Sequence, residues 1–454
     1  MNRMHKYLKL ALGAVVPVVL LSGCSDWLTG PKLTTNPNAP VTTGRDQLFV
    51  GVTVVQTVQQ TGDLARLFSM WVQSMAGTDR QYVAYANYVI TQDNFAGDWS
   101  NVYTGGGLID ERAIEKQAIS VGDSTYAGIA KVMEALTMGT AADVWGDVPY
   151  REAVGAELQP HLDPQQQVFA DVQAQLDTAI EWLQCQANTC AGPGSNDLFY
   201  NGDPTKWLAL AHTLKARYFL HVSTMDQTGY DSALVEAQQG ISSPTGDLIS
   251  YQSSDPNEWN LWYQFMVVQR SGYIGAGGFL VNLLQTTADP RLTAYYSTNS
   301  KGVYVGAPPT GGNGDFSSLS AVRLDPAFRQ PIVKSAENEL ILAEAELHAG
   351  NQAAAIAAYN QERAGEGRPP FVGGTITLED IITEKYIADF QEIEPYNDWK
   401  RTCLPNLVAA TSSGIPGRVF YPSSTEGSAN HNIPPIGQQP LLNWDQPTAC
   451  PTNL

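Results

Sequence analysis

Apolar residues recur at three- and four-residue spacing along three stretches of the chain's first half. They are Ile129, Val132, Met133 and Leu136, then Val168, Val172, Leu176, Ile180 and Leu183, then Trp207, Leu210, Leu214 and Tyr218. That is the period of a helix burying one face, and it predicts a mostly helical body from about residue 45 to 240. Asp163-Pro164 and Asp203-Pro204 each read as a helix start, a cap residue followed by proline in the first helical position. Residues 241–335 lose the period. Gly, Pro, Ser and Asn are dense there, and the stretch predicts a loop-rich lobe with short strands, one of them across Gly302 to Gly306. The helical period returns over residues 336–401, through Leu340, Ala343, Glu344 and Leu347, through Ile356, Ala357 and Tyr359, and through Leu378, Ile381, Ile382 and Phe390. Beyond Thr402 the chain reads as loop, punctuated by Pro405, Pro416, Pro422, Pro434, Pro435, Pro440 and Pro447.

The first 44 residues stand outside this pattern. Arg3, Lys6 and Lys9 precede an apolar run from Leu10 to Leu21, which small residues close. This is the build of a secretory signal, and the run is too short to cross a bilayer core of roughly 30 Å. Leu21-Ser22-Gly23-Cys24 resembles the lipobox of bacterial lipoproteins. The resemblance implies removal of residues 1–23 and lipid on Cys24, and Ser25 is compatible with transfer to the outer membrane. Ser25 to Gly44, rich in Thr, Pro and Asn, reads as a tether. The expected organisation is a signal at 1–23, a lipidated N-terminus and tether at 24–44, and one domain at 45–454. In that domain the helical scaffold covers about 45–240 and 336–401, and the loop-rich lobe about 241–335 and 402–454. The helices around Ala343 and Ala357, separated by Gly350-Asn351, form a pair of tetratricopeptide type, in which small alanines allow close approach.

Composition adds the compartment. With 43% hydrophobic residues and ten tryptophans the chain buries a large core. Its net charge is −19, and loss of the three basic residues before Cys24 makes the mature chain more acidic still. Such a surface repels nucleic acid and favours neutral or cationic partners. Beyond Cys24 four cysteines remain, an even number that suits disulfides in an oxidising compartment. Three connectivities are open. Cys185–Cys190 with Cys403–Cys450 closes the shortest loops and is the expected one. A zinc site competes poorly, because Cys-x4-Cys lacks companion histidines.

An ordered set of motifs carries a family resemblance. It begins with Ala142-Asp143-Val144-Trp145-Gly146-Asp147-Val148-Pro149-Tyr150-Arg151 and continues through Asn201-Gly202-Asp203, Trp207 and Lys215-Ala216-Arg217. Asn260-Leu261-Trp262-Tyr263, Asp289-Pro290-Arg291-Leu292, Leu342 to Glu346 and Glu384-Lys385-Tyr386 follow. Asn397 to Thr402, Arg418 to Pro422 and Asn430-His431-Asn432 close the series. The chain resembles the SusD/RagB family of outer-membrane nutrient-binding lipoproteins over nearly its whole mature length. Lys400 stands where that family more often has arginine. The resemblance implies a mainly α-helical fold with tetratricopeptide-like pairs and an irregular lobe. It also implies a lid over a TonB-dependent transporter at the cell exterior, capturing glycans or peptides with no cofactor.

Asp143 to Tyr150 reads as structural, a turn anchored by Trp145 and Tyr150; Asp147 and Arg151 read more simply as turn-stabilising than as ligand-binding. The binding argument rests on aromatics in loop-like places, because sugar rings need flat apolar platforms with amides and carboxylates around their hydroxyls. One cluster holds Tyr82, Tyr85, Tyr88, Asn94, Trp99 and Tyr103; the other holds Trp259, Trp262, Tyr263 and Tyr273. Any single aromatic is more often core than platform, and Trp262 with Tyr263 belongs to the motif set. Trp99, Tyr82, Tyr85, Trp259, Tyr273 and Asn94 are the candidate ligand residues. Catalysis finds little support. There is no His-x3-His spacing, no Gly-x-Ser-x-Gly elbow, and the glycine run Gly275 to Gly278 follows no strand visible in the sequence. A surface glycoside hydrolase is the remote alternative, since 45 acidic residues make chance carboxylate pairs inevitable.

Overall fold

A computed structural model describes residues 43–454 apart from Thr425, Pro447 and Leu454. The signal segment and Cys24 lie outside the described residues. Leu48–Leu454 forms one densely contacting unit, and the described stretch before it runs into the helix Arg45–Thr61. The fold is mainly α. The three periodic stretches become the helices Ser124–Trp145, Gln165–Leu183 and Pro204–Val222, and all but one of the thirteen residues of the three stripes named above are buried; Ile180 is half-buried.

The Asp203 carboxylate caps its helix by accepting from Thr205 N at 2.9 Å, with Pro204 in the first turn, as the sequence predicts. Asp163 does something else. Its carboxylate accepts from the backbone of Tyr150 and Arg151, both at 2.9 Å, while Asp147 accepts from Gln165 N at 2.8 Å. The two aspartates thus exchange roles across the bridge Val148–Asp163, and the turn after the long helix caps the next one. Arg151 pairs with Asp171 at 2.7 Å on the surface, so Asp147 and Arg151 both serve this turn.

Helices Ser335–His348 and Gln352–Gly365 form the expected antiparallel pair. Leu340, Ala343, Ala355 and Tyr359 are buried between them and the helix Leu378–Ala388, in a separate apolar cluster. Three two-stranded antiparallel ribbons lie in or reach the irregular lobe: Met75–Gly77 with Ile274–Ala276, Leu248–Ile249 with Pro331–Val333, and Tyr296–Ser297 with Ser318–Leu319. Gly302 to Gly306 forms no strand, a correction to the expectation. Gly302 sits at φ +76° in a tight turn, which glycine adopts freely and an extended strand does not contain. A second correction concerns Gly275 to Gly278, which does follow a strand and opens the helix Gly278–Thr286. Its glycines serve backbone approach. A Cβ on Gly277 would collide with the Gln73 carbonyl, and one on Gly278 would come within 2.7 Å of the Ala307 carbonyl.

The segment after Thr402 is mostly loop and packs back on the 143–150 turn. Val419 N donates to Val144 O at 3.0 Å, the Tyr421 hydroxyl to Asp147 O at 2.6 Å, and Asn443 Nδ2 to Asp143 O at 2.9 Å. Both expected disulfides are present, Cys185–Cys190 and Cys403–Cys450. The second ties this segment to the end of the helix Glu394–Thr402.

Candidate functional site

The ribbon of Met75–Gly77 with Ile274–Ala276 brings the two aromatic clusters together. Thr78 N donates to Tyr273 O at 2.8 Å just beyond it, and the short helix Arg80–Ala86 then lays Tyr82 beside Tyr273. The Tyr82 ring lies 5.3 Å from Tyr85, 4.9 Å from Phe265 and 6.1 Å from Tyr273, and Tyr85 lies 5.9 Å from Phe95. Tyr82 is only 9% exposed, and burial pushes its phenol up to about 12, so it stays protonated as a donor. Tyr85 is half-buried, its phenol also raised by burial. The Tyr273 ring is flanked by the guanidinium groups of Arg80 and Arg270, each 5.8 Å away.

Three adjoining hollows run from this cluster. A cavity of about 50 Å³ is lined by Asp63, Tyr82, Tyr85, Asn94 and Phe95, among others. It shares Asp63 with a cavity of about 200 Å³, lined also by Arg66, Asp98, Asn101, Gln264, Phe265 and Gln269. That one shares Val58 and Leu261 with a third of about 320 Å³, lined by Val50, Val54, Leu198, Tyr251 and Trp259. The third is the apolar one, where Trp259 stands half-buried. Its Nε1 donates to Ser254 O at 3.1 Å and its ring packs edge-on to Tyr263 at 5.2 Å. The middle hollow is polar. Arg66 is bonded to Asp63 and lies 4.6 Å over the Phe265 ring. Asp98 is 6% exposed, and burial, with the Asp63 charge beside it, pushes its carboxyl up to about 7.

Five of the six candidate residues therefore lie on or beside one run of hollows, although Tyr85 and Trp259 stand far apart in sequence. Asn94 is exposed, and its side-chain oxygen accepts from Thr91 N at 2.6 Å, leaving the amide NH2 outward. Trp99 is elsewhere. It is 1% exposed, with Tyr103, Trp145 and Tyr421 at 5.3, 5.3 and 5.6 Å, so no ring face is open to a ligand. The Trp99/Tyr103 spacing of four is a core stripe. Its neighbours on the same helix, Asp98 and Asn101, face the hollow; sequence reasoning missed them because neither is aromatic.

The motif residues collect in the core instead. His221 sits between Asp143 and Glu394, one ring nitrogen 2.9 Å from each carboxylate. Arg217 bridges Glu394 at 3.5 Å to Glu337 at 2.6 Å, and Arg401 joins Asp398 to Glu344, with Lys385 3.0 Å from Asp398. Lys400 pairs with Asp445 at 3.0 Å. Burial alone would lower His221, yet the two carboxylates raise it to about 9, so it is a cation at neutral pH. Both its nitrogens then carry protons, and Asp143, His221 and Glu394 hold one another as an ion triad. A second network gathers Arg291, Arg363, Arg368 and the Tyr359 hydroxyl on Glu384, with Asp289 pairing Arg291 at 2.8 Å.

The profile of a family described as "Starch-binding associating with outer membrane" matches residues 37–422. The chain belongs to the SusD-like family. Solved structures agree in fold. One named a chitin-binding protein superposes with a TM-score of 0.75 at 22% identity, covering 88% of this chain and 100% of its own. A SusD/RagB family protein from Bacteroides thetaiotaomicron gives 0.71 at 22%, covering 86% and 95%. A chitin-binding SusD homolog from Flavobacterium johnsoniae gives 0.73 at 17%, covering 89% and 99%. No curated protein sequence matches the chain. Among the described residues of this SusD-like chain, no helix is long and apolar enough to cross a membrane.

Proposed function

We propose that the protein is an outer-membrane lipoprotein, held by lipid on Cys24 and facing the exterior, that captures an oligosaccharide and hands it to a partner TonB-dependent transporter. Capture takes place along the three hollows, and no covalent step or cofactor is involved. The observation that carries this reading is the juxtaposition of Tyr82, Tyr85 and Asn94 with Trp259 and Tyr251 around a polar middle, aromatic faces with amides between them. The two neighbours named for chitin binding support a glycan as cargo. The tether at 24–44 keeps captured ligand at high local concentration near the transporter mouth. Ligand release then follows a hinge movement of the single domain at 45–454.

Affinity electrophoresis in gels containing individual polysaccharides tests this. Retardation by a glycan, reduced by Trp259→Ala or Tyr85→Ala, is the expected result. Retention of peptides with none of any glycan would overturn it in favour of a peptide carrier, and release of reducing ends would make the protein a hydrolase.

A further inference from the structure

The middle hollow contains an acid with no partner. Asp98 lies near the start of the helix Ala96–Tyr103, is 6% exposed, and lines the 200 Å³ cavity. Among the described residues its carboxyl meets only its own backbone N–H, with Asp63 and Arg66 as the charges that reach it. Arg66 is already engaged, by Asp63, by the Leu261 carbonyl at 3.4 Å and by the Phe265 ring. The opposite wall, Leu261, Gln264, Phe265 and Gln269, carries no charge. With Asp98 ionised, the fixed groups would sum to one negative charge around a carboxyl that is almost wholly buried. Burying a carboxylate without a partner is costly, and a neutral sugar hydroxyl would be served equally well by the amides of Asn101, Gln264 and Gln269. An acid here gains only when a cation arrives.

We propose that Asp98 reads charge in this cleft, and that the ligand it selects is a glycan bearing a protonated amine, an amino sugar whose ammonium group sits in the middle hollow. This rests on the glycan-capture reading above and narrows its substrate class. Contact between ammonium and carboxylate restores the ionised form of Asp98 through a charge-assisted hydrogen bond. Arg66, held by Asp63, keeps that second carboxylate occupied, so Asp98 takes the ligand charge. Tyr82 and Tyr85 on one side and Trp259 on the other hold the adjoining sugar rings.

The test is calorimetric titration of the mature protein with three β-1,4-linked hexamers, of glucosamine, N-acetylglucosamine and glucose, at pH 7 and pH 5.5, for wild type and Asp98→Asn. The amine hexamer should bind at least tenfold more tightly than the other two at pH 7. That preference should shrink several-fold at pH 5.5, because free Asp98 is then protonated and its loss of charge outweighs the fuller protonation of the amine. In Asp98→Asn the three hexamers should come within about twofold of one another. The variant keeps the rest of the acidic surface, so a preference surviving in it would mean nonspecific attraction and would overturn the proposal. Hexamer binding without amine preference in wild type overturns this inference alone and leaves glycan capture standing. Binding of pentalysine with none of the hexamers bound overturns both. If Asp98→Asn fails to fold, Asp98→Glu in its place and the loss of wild-type preference at pH 5.5 keep the proposal open to refutation, since attraction by the surface alone would persist at that pH.

Discussion

Raising the pH from 6.5 to 9 should remove about half the charge of His221 and loosen the core around it. His221 is enclosed by Asp143 and Glu394, both buried, and titrates near 9 in the folded protein against about 6.5 when unfolded. A folded value raised above the unfolded one contributes stability that is fully present below about pH 6.5 and lost as the pH climbs through 9. At about 1.4 kcal/mol per pH unit, that gap is worth about 3 kcal/mol. Glu111 and Glu392, whose carboxyls burial pushes from about 4.5 up to about 8, also contribute stability that is lost between those values, which overlaps the lower part of this range. The quantity to follow is therefore the difference between wild type and His221→Gln, measured by urea unfolding at pH 6.5, 7.5 and 9. The variant should be much less stable at pH 6.5, and the difference should narrow by about 3 kcal/mol by pH 9. A difference that does not change with pH would show that His221 is not a buried cation, and would refute the ion-triad account.

The structure separates Trp99 from Trp259. Trp99→Ala should cost about 3–5 kcal/mol of stability, visible as a lowered unfolding midpoint. Trp259→Ala should leave that midpoint nearly unchanged and weaken glycan binding by about 1–2 kcal/mol in titration calorimetry. Arg401→Met leaves Glu344 with no cation and Asp398 with Lys385 alone, and should destabilise by about 3–5 kcal/mol in urea unfolding. The Cys403–Cys450 bridge spans 47 positions and Cys185–Cys190 only five, so loop-closure entropy gives about 4 and about 2 kcal/mol respectively. Paired serine variants compared by chemical unfolding should reproduce that order.

Helix periods were legible because a buried stripe repeats locally. The stripes of Ile129, Val168 and Trp207 are core residues in the structure, and the alanine-rich pair around Gly350 is where the pattern puts it. Candidate ligand residues were legible only in part. Tyr82, Tyr85 and Trp259 stood out as aromatics in loop-like places, and so did Trp99, which is core. The spacing of four between Trp99 and Tyr103 is compatible with core packing but does not decide it, because exposure depends on which partner covers the ring. Tyr421, which covers Trp99, comes from the loop segment more than 300 residues later. Asp98 was hidden among 45 acidic residues and gains meaning only from the hollow around it.

By itself the sequence determined the elements: helix stripes with their starts, the cysteine set, the acidic balance and the ordered motifs that mark the family. These follow from spacing along one chain, where neighbours within a turn or two decide the outcome. Tertiary structure decided what the motif residues pair with and which candidate ligand residues come together. Asp143 and Arg217, from two motifs some 70 residues apart, meet through His221 and Glu394, while Arg401 finds Asp398 and Glu344, because charges buried in the core must find opposite charges there. The cleft likewise exists only once the ribbon of Met75–Gly77 with Ile274–Ala276 carries Tyr273 to Tyr82, a pairing across nearly 200 residues that no local pattern encodes.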